Sequence, residues 1–156
     1  MDMLRQQYEL IKRSRSVMLN FIENQVGEGY IVPIKEFNNK DIRYFLLHIN
    51  NTYKHWGANF GMNKKLPYID YNSQLSLTEV RKLFDETDKL VAEFLNHFKQ
   101  PDQPVTNKAN SGILLTVTPL ELFTHMITHE FHHKGQIMTM CRLLGHIPPD
   151  TDVIRY

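Results

Sequence analysis

TPLELFTHMITHEFHHKGQIMTMCRLLG, from Thr118 to Gly145, reads as one long helix whose start and stop are written into it. Thr118 and Glu121 form a capping box, Pro119 occupies the first helical position, and Gly145 closes the segment ahead of Pro148 and Pro149. With Met126 as the centre of the inner face and about 100° per residue, Leu122, Ile137, Met140 and Leu144 fall within roughly 40° of that line. His133 falls among them and His129 lies on their shoulder, while His125 and His132 are rotated by roughly 100° or more, to the border between core and water. Histidines at i and i+4 stack on one helix face, so His129 and His133 can aim their imidazoles at a single point. A buried, unpartnered imidazole nitrogen costs about 1 to 3 kcal/mol, and a shared cation would satisfy both rings. His129 and His133 therefore supply two ligands of a candidate Zn2+ or Ni2+ site.

Three further helical segments precede this one. The first spans roughly Met3 to Asn24, with Leu4, Tyr8, Ile11, Met18, Phe21 and Ile22 on a helical period, and stops before Gly27-Glu28-Gly29. The second starts at the capping residue Asp41, carries Ile42, Phe45, Leu46, Ile49, Tyr53 and Trp56 on one face, and is expected to close at Gly57. The third opens on the capping box Ser76-Leu77-Thr78-Glu79 and runs to about Phe98, before Pro101 and Pro104. No strand pattern stands out. Connections of more than about a dozen residues exceed hairpin turns and imply a crossover in an all-α four-helix bundle. The connection from Gly57 to Tyr71 is rich in Phe and Tyr and either lids a site or covers the ends of the bundle.

With 156 residues and 42% hydrophobic content, the chain suits a single domain covering 1–156. A formal net charge of +1 lacks the basic excess of nucleic-acid binders, so no nucleic-acid partner is expected. The lone Cys141 excludes an internal disulfide and any CxxC motif, which fits a reducing, cytoplasmic setting, and no stretch has the length of a signal peptide core or membrane span.

A catalytic-type site needs a third protein ligand, and His48 is the best placed. It sits in Leu46-Leu47-His48-Ile49, beside the apolar stripe of the second helix, and bundle metal sites are built from such facing helices. His55 lies nearer the helix end beside Trp56, and His97 and His146 lie near helix termini.

With these residues placed, the chain resembles the DinB/YfiT-like metalloproteins, a bacterial family distinct from the DNA polymerase of similar name. The resemblance rests on Leu47-His48-Ile49, Thr52-Tyr53 and Trp56, then on His129-Glu130-Phe131-His132-His133-Lys134-Gly135-Gln136 and Leu143-Leu144-Gly145. It implies an up-down-down-up bundle with a divalent ion, zinc or nickel, on His48, His129 and His133. It also implies a homodimer and a small-molecule substrate. Some members of the family are S-transferases or isomerases that use a low-molecular-weight thiol, and others are described as metal-dependent hydrolases. A non-catalytic metal-binding or stress-response, DNA-damage-inducible interaction protein is the alternative.

His129-Glu130-Phe131-His132-His133 also satisfies the HExxH pattern of zinc peptidases, but the context is missing. The tail after His133 offers only His146 and two aspartates, and no strand precedes the helix to hold a peptide. Glu130 has three readings: an acceptor that orients an imidazole, an ion pair with Lys134, or a general base. Gly135, in mid-helix, costs about 1 kcal/mol relative to alanine, which close approach of a neighbouring helix or lid would offset. Cys141 reads as a small core residue.

Overall fold

The computed structural model describes residues 1–109 and 111–155. Four helices form the bundle: α1 (Asp2–Phe21), α2 (Ile42–Tyr53), α3 (Leu77–His97) and α4 (Pro119–Leu143). The capping signals work as their chemistry requires. Asp41 accepts from the Tyr44 amide at 2.7 Å, and the Ser76/Glu79 and Thr118/Glu121 boxes close reciprocally at the starts of α3 and α4. Among the described residues, no helix is long and apolar enough to cross a membrane.

Both α1 and α2 pack against α3 and α4, which puts α1 and α2 at diagonal corners. The α1 to α2 connection therefore crosses the end of the bundle, as the long intervening segments require. Tyr8, Ile11 and Met18 of α1, Leu46 and Ile49 of α2, Val91 and Phe94 of α3, and Met126 and Ile137 of α4 meet in one core. Cys141 is fully buried in it.

Three features differ from the sequence expectation. First, the second helix does not stop at Gly57 but continues as a π-helical segment, Lys54–Gly61. Gly57 and Gly61 serve packing there: a Cβ on Gly57 would sit 3.0 Å from Leu90 Cδ2, and one on Gly61 would sit 2.9 Å from Phe94 Cε2 and 3.0 Å from the Trp56 carbonyl. Second, a small antiparallel hairpin, β1 (Val105–Lys108) with β2 (Leu114–Val117), lies between α3 and α4. Neither VTNK nor LLTV alternates apolar with polar residues, so neither registers as a strand in the sequence. Their pairing is reinforced by Thr106 and Thr116, whose hydroxyls lie 2.8 Å apart, and Asn107 ties the hairpin to the Phe60 carbonyl at 3.0 Å. Third, Gly135 is exposed and a Cβ there would meet nothing within 4 Å, so no neighbouring helix or lid offsets its cost.

These two kinds of helical glycine should respond oppositely to the same substitution. Gly135→Ala removes backbone freedom from the unfolded chain without a clash and should stabilise by up to about 1 kcal/mol. Gly61→Ala forces a contact with the Trp56 backbone carbonyl, which cannot swing away, and should lower the thermal midpoint. Thermal unfolding of both variants checks this, and equal shifts would contradict it.

Candidate metal centre

The packing of α2 against α4 brings His48 opposite His129 and His133. One ring nitrogen from each lies within 4.8 Å of the other two. The Nε2 atoms of His129 and His133 are 3.3 Å apart, close to the separation of about 3.3 Å between ligands of a tetrahedral ion with Zn–N bonds of about 2.05 Å. His133 is buried and His129 half-buried, whereas His125 and His132 are exposed, in line with their helical phase.

Two of the three rings are oriented by partners that the sequence reading did not identify. His133 Nδ1 lies 2.6 Å from Gln136 Oε1, and His48 Nδ1 lies 3.0 Å from the Tyr71 hydroxyl. The Gln136 oxygen can only accept, so it holds the His133 proton at Nδ1 and leaves the Nε2 lone pair for a cation, whereas the Tyr71 hydroxyl can accept from His48 Nδ1 or donate to it. The third, His129 Nδ1, is buried without a hydrogen-bond partner among the described residues. Gln136, three residues after His133 on the same face, was detectable by helical spacing; Tyr71, 23 residues after His48 in a loop, was not.

The electrostatics also suit a cation. Burial, together with the neighbouring His133 and His48, holds His129 down at about 3, and burial lowers His133 to about 4 even though Gln136 opposes the shift. Burial lowers His48 as well. All three rings are therefore neutral near pH 7, the state in which imidazole binds a metal. The donor set, three neutral nitrogens converging on one point with the His133 tautomer fixed by Gln136, fits a divalent first-row ion such as zinc or nickel.

His48 and His129 open into a cavity of about 380 Å3, also lined by Asn51, Thr52, His55, Trp56, Tyr68 and Tyr71. The segment from Gly57 to Tyr71 thus supplies walls of the site. It is clamped by two asparagines: Asn51 exchanges hydrogen bonds with the backbone N–H and carbonyl of Ile69 at 2.8 and 2.9 Å, and Asn59 does the same with Leu66 at 2.8 and 3.0 Å. The lining residues carry no lysine, arginine, aspartate or glutamate. His97 and His146 lie apart from this group, His146 resting edge-on against Phe21.

Glu130 is only 1% exposed and faces the bundle core. Arg15 donates to it through Nε at 2.7 Å and Nη2 at 2.9 Å, and the Tyr53 hydroxyl donates at 2.5 Å. Arg15 also reaches Asp88 at 2.6 Å, which accepts from the Tyr8 hydroxyl at 2.7 Å. Lys134 donates instead to Ser14 and to the Thr151 carbonyl, and burial lowers it to about 8. Burial works against the charge of Arg15, but Glu130 raises its pKa overall. Neither an imidazole nor Lys134 is among these hydrogen-bond partners of the Glu130 carboxylate.

Comparison with protein families matches the DinB family over residues 1–156. No curated protein matches the chain.

The depressed histidines make a prediction for the metal-free protein. In the unfolded chain these rings take up protons as pH falls through about 6.5, while the folded rings stay neutral until about 4 and 3. Their contribution to stability is therefore complete above pH 6.5 and is lost as pH falls towards 4 and then 3. Urea unfolding of chelator-treated protein should show a midpoint that declines across this window, and the decline should be shallower in His129→Gln. An identical slope in the variant would contradict the assignment.

Proposed function

The chain belongs to the DinB family, and on that premise we propose a metal-dependent enzyme acting on a small molecule, with its ion on His48, His129 and His133. The observation that carries this reading is the position of the three nitrogens at the side of a cavity. Protein ligands converge from α2 and α4, and His48 and His129 also face the open volume. Catalytic ions keep a position for substrate, whereas structural ions are enclosed by four protein ligands. A bound divalent ion would act as a Lewis acid and supply a nucleophile from water or a thiol at neutral pH.

The chain's own residues have separate tasks in this reading. Gln136 and Tyr71 hold the imidazole protons at Nδ1 of His133 and His48, keeping the lone pairs aimed at the cation. Trp56 and Tyr68 wall the cavity. With no charged side chain in that wall, a small uncharged electrophile suits it, and the expected activities are transfer of a low-molecular-weight thiol or hydrolysis of a small ester or amide. Glu130 has a structural role, supported by its double engagement by Arg15 and Tyr53 inside the core. A general base must reach the proton it removes, and these partners occupy its oxygens.

Purified protein should carry close to one divalent ion per chain. Alanine at His48, His129 or His133 should each empty the site, while His97→Ala and His132→Ala should retain it. Elemental analysis and zinc or nickel titration measure this. Cobalt-loaded protein should then change its visible spectrum on addition of a small thiol. An ion that binds but ignores thiol, azide and cyanide would favour the non-catalytic metal-binding reading.

A further inference from the structure

We propose that the indole N–H of Trp56 is the recognition group of the cavity and holds a carbonyl-type acceptor on an uncharged, elongated substrate whose reacting end lies at the three histidines. The inference rests on the metal reading and adds the substrate class to it. Two helices set the spacing. His48 on α2 meets His129 and His133 on α4, with ring centroids 5.0 and 4.7 Å away. Two turns further along the second helix, Trp56 meets His125, one turn before His129 on α4, at 5.0 Å between ring centroids. The cavity lined by His48, His129, His55 and Trp56 therefore runs along the helices, from the histidine cluster to the indole. With about 5.4 Å per helical turn, its two ends are roughly 5 to 10 Å apart.

Most polar groups of the wall already have partners. The Thr52 hydroxyl donates to the His48 carbonyl at 3.0 Å, Asn51 holds Ile69, the Tyr71 hydroxyl lies 3.0 Å from His48 Nδ1, and the Tyr68 hydroxyl lies 2.8 Å from His55 Nδ1. Trp56 Nε1 and His55 Nε2 have none among the described residues, and unlike His129 Nδ1 neither is closed off from solvent. His55 Nε2 donates or accepts according to which ring nitrogen carries the hydrogen, whereas the indole can only donate. Trp56 therefore fixes the polarity of the ligand, which must bring a lone pair. No charged side chain lines the cavity, so a neutral acceptor suits it better than a carboxylate. The indole is held in place by His55 at 4.6 Å and Phe60 at 5.4 Å between ring centroids. A fixed donor of this kind discriminates against an analogue that lacks the acceptor, because the donor is then left unpaired.

The probes are two alkyl hydroxamates of equal length, titrated into full-length cobalt-loaded protein and followed by visible absorption. One carries a ketone roughly five bonds from the hydroxamate, the reach of about one helical turn, and the other a methylene in its place. Trp56→Phe should raise the Kd of the ketone roughly fivefold more than that of the methylene analogue, the effect of one lost hydrogen bond. Trp56 is the sole tryptophan, so biosynthetic replacement by benzothienylalanine exchanges its N–H for sulfur at nearly unchanged shape. That protein should show the same selective loss, which keeps the test decisive if Trp56→Phe folds poorly. Equal changes for both probes overturn the proposal and leave the open metal site standing. A selective loss in His55→Phe that is absent from both Trp56 replacements puts the acceptor on His55 and overturns it as well. If neither hydroxamate alters the cobalt spectrum of the wild-type protein, the open site fails and the proposal falls with it.

Discussion

The buried Arg15–Glu130 ion pair sets the relation between α1 and α4 on which the rest of the structure depends. Two charges removed from water cost several kcal/mol each unless the remaining donors and lone pairs are also met. Here they are met from all four helices: Tyr8 and Arg15 from α1, Tyr53 from α2, Asp88 from α3 and Glu130 from α4. Sliding or rotating α4 by one residue would strand a carboxylate in an apolar core. An apolar interface alone tolerates such slips far better, because Leu, Ile and Met can repack. The network therefore acts on specificity more than on net stability.

Its consequence for the candidate metal centre is geometric. Glu130 comes directly after His129 and precedes His133 by three residues, so fixing Glu130 towards α1 turns both imidazoles towards α2. His48 meets them there, beside Leu47 and Ile49, whose burial sets the phase of α2. The HExxH pattern is thus divided between two roles. Its histidines face His48 and a cavity, while its glutamate faces Arg15 and Tyr53 in the core. The same spacing that suggests a peptidase base instead locks the helix that carries the candidate ligands.

Much of this was legible in the sequence wherever a local rule applied. The caps at Asp41, Ser76 and Thr118 mark helix starts by satisfying orphan amides, and the phase of α4 separates His129 and His133 from His125 and His132. Arg15 gave no signal, since one arginine on an amphipathic helix normally lies at the surface with its charge in water. Its burial depends on Glu130, 115 residues away. Gly57 misled for a related reason: glycine marks a helix end when the chain must turn, but here it lets Leu90 and Met126 approach the backbone. Gly135 shows the reverse, a mid-helix glycine with open space around it. Tyr71 became visible as a partner of His48 only when the loop was folded back.

The π-helical segment after Tyr53 explains how one helix can serve both core and cavity. Along α2, Ile42, Phe45, Leu46, Ile49 and Tyr53 keep an ordinary helical period and bury one stripe. An i→i+5 turn admits an additional residue per turn and rotates the downstream residues relative to that stripe. Ala58 and Phe60 re-enter the core, while His55 and Trp56 are left half-buried in the cavity wall. The close glycines let α3 and α4 pack against this widened segment without being pushed away. Asn51, just before it, and Asn59, within it, then hold the returning chain at Ile69 and Leu66, which sets Tyr68 and Tyr71 opposite the histidines. The cavity is therefore made where regular α-helical geometry stops, and the aromatic loop that encloses it is anchored by side chains of the helix that supplies His48.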